Sequence, residues 1–152
     1  KVWAILLSTI AIVLILSSSV FAETGDSVGD VVTVDGLTYL ITSLDDLNGT
    51  VELTGYSTNP SGTLNIPQSI EHDSVVYNVT SIGEDAFKFC TNITSVIIPD
   101  GVTIIKEFAF GQCWGLTSVI IPESVNVIYN RAFLRCSKIN SISFPLSLKK
   151  IG

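Results

Sequence analysis

Residues 116–136 read LTSVIIPESVNVIYNRAFLRC, and nearly every apolar letter in this stretch has a counterpart 23 positions before or after it. The most conspicuous piece, Ala-Phe-x-x-Cys, occurs as AFKFC at 86–90, AFGQC at 109–113 and AFLRC at 132–136. Outward from it the register holds for Ile93, Leu116 and Ile139, for Val96, Val119 and Ile142, and for Ile98, Ile121 and Phe144. Pro99, Pro122 and Pro145 follow at once, then Val102, Val125 and Leu148, then Ile105, Ile128 and Ile151. Between these columns the polar letters vary. Fixed apolar columns amid variable polar ones are what stacked units require, because each unit buries its apolar face only against its neighbours. The repeat therefore predicts architecture before it predicts chemistry.

Within a unit, ITSVIIP (93–99) alternates so that Val96 and Ile98 share one face of a strand while Ser95 and Ile97 share the other. Proline ends the strand, since it cannot donate to a ladder. Val102 and Ile105 then turn the chain back inward. The segment EDAFKFC (84–90) is too short for an independent helix. It is expected to form a single helical or 3₁₀ turn that drops Ala86, Phe87 and Cys90 into the core.

The order L-x-S-V-x-I-P-x-S-V-x-x-I-x-x-x-A-F-x-x-C in 116–136 resembles the BspA-like leucine-rich repeat, and the resemblance covers roughly residues 80–152. It implies a mainly β leucine-rich-repeat solenoid of parallel strands and short helical or 3₁₀ turns. It further implies a role at the cell surface in adhesion or protein binding, toward a protein or a surface glycoconjugate, with no cofactor. One position departs from leucine-rich repeats at large. Where they place an Asn or Cys after the strand, this chain has Gly101, Ser124 and Ser147. The units are accordingly expected to be tied by backbone pairing and packing alone.

Before residue 80 the pattern changes. VVTVDGLTYLI (31–41) alternates around Asp35-Gly36, a hairpin signal. TVELTGY (50–56) reads as a further strand, and SGTLNIP (61–67) already puts Leu64, Ile66 and Pro67 in the roles of Val96, Ile98 and Pro99. Around EHDSVVYNV (71–79) the unit is longer than its successors, and the excess is predicted to form a strand or hairpin against the first coil. Residues 23–79 are thus expected to be an antiparallel β cap with a first atypical repeat, followed by regular repeats over 80–152.

Residues 1–22, KVWAILLSTIAIVLILSSSVFA, combine one basic residue, an apolar run and a small-residue end. They read as a signal peptide, an uncleaved membrane anchor being the alternative. The protein is expected to be secreted or held at the cell surface. Without Met at its start, and stopping in mid-pattern at LKKIG, the sequence reads as a piece of a longer chain that could carry a C-terminal anchor. Residues 23–152 carry 7 basic and 14 acidic residues. No Lys or Arg occurs in residues 23–73, against nine acids there. Such a surface argues against nucleic acid and anionic lipid as partners.

The three cysteines have the spacing of a core column and lack a close C-x-x-C partner, so they are expected buried and unbridged rather than metal-binding. His72 is expected in a solvated loop beside Asp73, and Asp45-Asp46 in a turn. Glu84-Asp85 is matched by Glu107-Phe108 and Asn130-Arg131, so it is not a repeated carboxylate pair. No catalytic or metal constellation emerges. The candidate binding surface is instead the outward side of the repeat strands. There Thr63, Ser95, Ser118 and Ser141 form one ladder, and Asn65, Ile97, Ile120 and Ser143 another. Phe108 and Trp114 are candidate aromatic anchors, the alternative being that they lie over the neighbouring coil. Asn48, Asn78 and Asn92 open N-glycosylation sequons. Partner binding through this face is one reading; a passive spacer that presents downstream domains is the other.

Overall fold

The structure, a computed structural model, describes residues 25–45 and 48–152. The apolar segment 1–22 lies outside them. Twelve strands follow one another: β1 (Val31–Val34), β2 (Leu37–Leu44), β3 (Asn48–Tyr56), β4 (Gly62–Asn65), β5 (Ser69–His72), β6 (Val75–Ile82), β7 (Ile93–Ile97), β8 (Ile104–Ile105), β9 (Ser118–Ile120), β10 (Val127–Ile128), β11 (Ser141–Ser143) and β12 (Lys150–Ile151). They form two sheets. The repeat strands β11-β9-β7-β4 make an all-parallel sheet, in register Thr63–Ser95–Ser118–Ser141 and Asn65–Ile97–Ile120, with Ser143 next. The second sheet runs β1-β2-β3-β6-β8-β10-β12, with β5 added to β6.

The hairpin signal at Asp35-Gly36 is realised as β1–β2, with both turn residues left-handed at φ 49° and 81°. That is the conformation a two-residue hairpin turn needs. The excess residues after Pro67 form the β5–β6 hairpin, turning through Asp73 and Ser74, also left-handed. β1, β2 and β3 pair antiparallel, as expected of this region, but β3 joins β6 in parallel. The antiparallel strands therefore share one continuous sheet with the repeats. Leu53, Ile82, Ile105, Ile128 and Ile151 succeed one another along it.

The expected helical or 3₁₀ turn does not form; the described residues contain no helix. The Ala-Phe-x-x-Cys segments are successive β-turns, with bonds such as Lys88 N–H to Asp85 O and Cys90 N–H to Phe87 O. Their direction is reset by left-handed residues at Asp85 and Phe89, and again at Phe108 and Gln112, and Arg131 and Arg135. That reset turns N–H groups outward to the next coil. Phe87 donates to Ala109 O at 2.7 Å and Phe110 to Ala132 O at 2.8 Å. A helix would have spent these donors internally.

The core is the set of columns read from the sequence. Phe87, Phe110 and Phe133 stack with ring centroids 5.4 Å apart at both steps and planes within 6°. Tyr56 heads the same column, 6.0 Å from Phe87. Ala86, Cys90, Ile93, Val96, Ile98, Val102 and Ile105 are all buried, and so are Ala109, Cys113, Leu116 and Val125.

The expectation that packing and backbone alone tie the coils is corrected at the position after the strand. Ser124 Oγ donates to Val102 O at 2.8 Å and accepts from Gly101 N–H at 3.2 Å. Ser147 Oγ lies 2.5 Å from Glu123 O and 3.1 Å from Val125 O, both in the preceding coil. A short hydroxyl reaches the preceding coil's free carbonyl, so serine replaces the longer side chain with a ladder of its own.

Candidate functional site

The strand alternation carries the outward ladders to the surface of the parallel sheet. Val96 and Ile98 point inward and are buried, which leaves Ser95 and Ile97 outside. Ile97 and Ile120 face each other across the β7–β9 register and are 38% and 55% exposed. Around them lie Thr63, Asn65, Ser118 and Ser143, all exposed. Ser141 takes its place in the ladder through its register with Ser118. The result is an uncharged face of short hydroxyl and amide side chains with two adjacent branched aliphatics.

The two aromatic candidates stand apart from this ladder, in the turn segment that precedes β9. Trp114 is 49% exposed. Phe108 is half-buried between two cations, with Lys88 Nζ 4.6 Å and Arg131 Cζ 5.5 Å from its ring centre. Its ring is thus occupied within the chain by cation–π contacts. Phe89, a residue not singled out in the sequence, is 55% exposed at a left-handed position. Its column reads Phe89, Gln112 and Arg135, so no repeated letter marked it.

Asn48, Asn78 and Asn92 are all exposed. Their columns are not uniformly open. At Gly115, the counterpart of Asn92, a Cβ would collide with the Thr91 carbonyl.

The cysteines are free and buried, as the core spacing implied. Cys113 Sγ donates to Phe87 O at 3.1 Å and Cys136 Sγ to Phe110 O at 3.0 Å, each reaching back one coil. Burial raises the Cys90 thiol above its ordinary range. The neighbouring Cys136 thiol, and then burial, do the same for Cys113. The contact with Cys113 acts oppositely on Cys136 and lowers its thiol despite burial; all three side chains lie buried in the core column.

Two polar clusters went unread in the sequence. His72 is not a solvated loop residue. It ends β5, and its Nδ1 lies 2.9 Å from Asp26 Oδ2, the oxygen that also accepts from the Tyr77 hydroxyl at 2.9 Å. Asp73 approaches the same imidazole nitrogen at 3.9 Å. The Asp26 side chain is only 8% exposed, so His72 and Tyr77 satisfy a buried carboxylate and pin the residues before β1 to the β5–β6 hairpin. The second cluster centres on buried Glu52, whose Oε2 accepts from Ser81 Oγ at 2.8 Å and pairs with Lys106 Nζ at 2.7 Å. It clamps β3 to β6 and to the residue that follows β8.

With this geometry in view, the comparisons are decisive. Residues 63–152 match six copies of the BspA type leucine-rich repeat region. The chain belongs to that family. Among solved structures, this BspA-type protein is similar to a leucine-rich repeat protein from Bacteroides ovatus, at 38% identity and a TM-score of 0.70 over 77% of the chain. A leucine-rich repeat protein from Bacteroides capillosus is 34% identical with a TM-score of 0.70 over 79% of the chain. A leucine rich cell surface protein from Faecalibacterium prausnitzii is 31% identical with a TM-score of 0.62 over 78%. The chain spans 30% of the first of these proteins, 86% of the second and 31% of the third. No curated protein matches it.

Proposed function

We propose that this BspA-type chain forms a secreted or surface-displayed solenoid that binds a protein or surface glycoconjugate through the outer face of its parallel sheet. In this reading β1, β2, β3 and β5 cap the stack and the repeats supply a rigid, repeated surface. Attachment is multivalent, and Ile97 and Ile120 are the central anchors, with Ser95, Ser118, Ser141 and Ser143 around them and Trp114 at the margin. The protein acts by contact, not catalysis. The observation that carries the reading is the adjacent exposed pair Ile97 and Ile120 on an otherwise polar, uncharged face. A contiguous apolar patch rimmed by polar residues marks an interaction surface. The similarity to a leucine rich cell surface protein from Faecalibacterium prausnitzii supports the location.

The test is the double variant Ile97→Asp with Ile120→Asp, displayed on beads over a panel of immobilised extracellular-matrix proteins. Loss of attachment is expected from a protein that stays folded in a thermal melt, at a cost of about 1–2 kcal/mol, because aspartate suits a strand poorly and the two new charges oppose each other across the β7–β9 register. Attachment equal to wild type would instead make the repeats a passive spacer for other domains.

A further inference from the structure

The first edge of the repeat sheet is open. Among the described residues β4 has β7 on one side and no strand on the other. The Ile66 N–H donates to Ile97 O. Strand alternation therefore aims the backbone groups of Leu64 and Ile66 at β7, and those of Thr63 and Asn65 away from it. These outward N–H and C=O groups face a groove whose opposite wall is the β1–β2 turn. Two cavities of about 400 and 390 Å³ compose it, and they share Asp35, Leu37 and Asn65. The four residues of β4 offer about 13 Å of strand, enough to pair with a short extended segment.

The charge around this groove has one sign. From Val2 to Phe87 the chain contains no Lys or Arg and eleven Asp or Glu. Asp35 and Glu71, both exposed, lie on its walls. An unpaired strand edge attracts any extended chain, and the carboxylates select among them.

We propose that the open edge of β4 is a second binding site, which takes an extended, lysine- or arginine-bearing segment of another protein by strand addition. The guest's backbone pairs with Thr63 and Asn65. Its cationic side chains meet Asp35 and Glu71, while its alternate side chains lie on Leu37. The site uses none of Ser95, Ile97 or Ile120, so it stands or falls separately from the outer face.

The probe is a fluorescent Lys-Val-Lys-Val-Lys-Val-Lys peptide followed by anisotropy, with its Glu-for-Lys counterpart as control. Saturable binding is expected for the cationic peptide alone, weakening several-fold between about 50 and 300 mM salt as the charges are screened. Asn65→Pro removes an outward donor and leaves the β4–β7 bonds in place. It should weaken binding about tenfold without lowering the melting temperature. Asp35→Asn with Glu71→Gln should weaken it comparably and flatten the salt dependence, and this pair decides the matter if Asn65→Pro fails to fold. Ile97→Asp with Ile120→Asp should leave peptide binding unchanged. Equal binding of the acidic peptide, no saturation of the cationic one, or wild-type affinity in the Asp35/Glu71 variant would overturn the proposal. So would a wild-type dimer in sedimentation that Asn65→Pro dissolves, because the groove would then belong to a second copy.

Discussion

A left-handed backbone costs a non-glycine residue about 1–2 kcal/mol, yet each repeat places two residues there. One column holds Asp85, Phe108 and Arg131 at φ 57°, 52° and 61°; the other holds Phe89, Gln112 and Arg135 at 64°, 60° and 59°. The return is visible in the bonds. Asp85 N–H reaches Glu107 O, and Phe89 N–H reaches Gly111 O at 2.9 Å. A backbone turned outward thus gains a partner in the next coil. Arg135 is exposed, so replacing it loses little packing. Arg135→Gly relieves the strain but enlarges the entropy of the unfolded chain, and a net gain of about 0.5–1 kcal/mol remains. Arg135→Val should lose at least about 1 kcal/mol, since a β-branched side chain fits this region worst. Urea unfolding of the two variants beside wild type checks the order, and a less stable glycine variant would sink the strain argument. Nothing in the sequence announced these positions. Neither column contains a Gly or Asn, the residues that ordinarily mark left-handed backbone, so the segment read as a helical turn.

At the scale of the element, the aromatic column joins coil to coil. Phe110 is fully buried with Phe87 on one side and Phe133 on the other, whereas Phe133 is half-buried. In a stack where each unit touches only its neighbours, an interior plug belongs to two interfaces. Phe110→Ala should therefore cost about 3–5 kcal/mol, and Phe89→Ala, whose ring is 55% exposed outside the column, about 1 kcal/mol or less. Denaturant melts of both variants measure the difference, and equal losses would contradict the column as a source of stability. The column itself was legible, because a constant interval keeps its letters in phase. Its first member was not. Tyr56 lies in β3, 31 residues before Phe87 and so outside the 23-residue interval, and periodicity placed it only in a strand. The outward ladders were legible for the same reason as the column, since strand alternation fixes both faces at once. The cations on the Phe108 ring were not legible, because Lys88 and Arg131 come from the coils on either side. No single unit contains that contact.

Across the whole molecule, charge and ionisable groups divide the chain in two. The asymmetry of acids and bases was plain in the sequence. The buried clips at Asp26 and Glu52 were not, because they join residues that share no column. Three buried or half-buried tyrosines, Tyr39, Tyr56 and Tyr77, lie in the acidic first half. Burial, then the nearby Asp35 charge, push the Tyr39 phenol up to about 12. Interaction with the Cys90 thiol, followed by burial, brings Tyr56 to about 12. Burial, followed by the bond to Asp26, does so for Tyr77. An unfolded tyrosine ionises near 10. Each folded value stands above the unfolded one, so the unfolded chain releases these protons first. The stability they contribute is fully present below about pH 10 and is lost as pH rises through about 12. Alkaline unfolding should begin in the strands before residue 82, in a single step in which tyrosinate absorbance and loss of near-ultraviolet circular dichroism coincide. Tyr39→Phe should move that step to higher pH, because one ionisation that drives it is gone. If these phenols ionised near pH 10 while the dichroism stayed native, the close packing of the first sheet against the repeats would be wrong, and with it the support on which the stack is built.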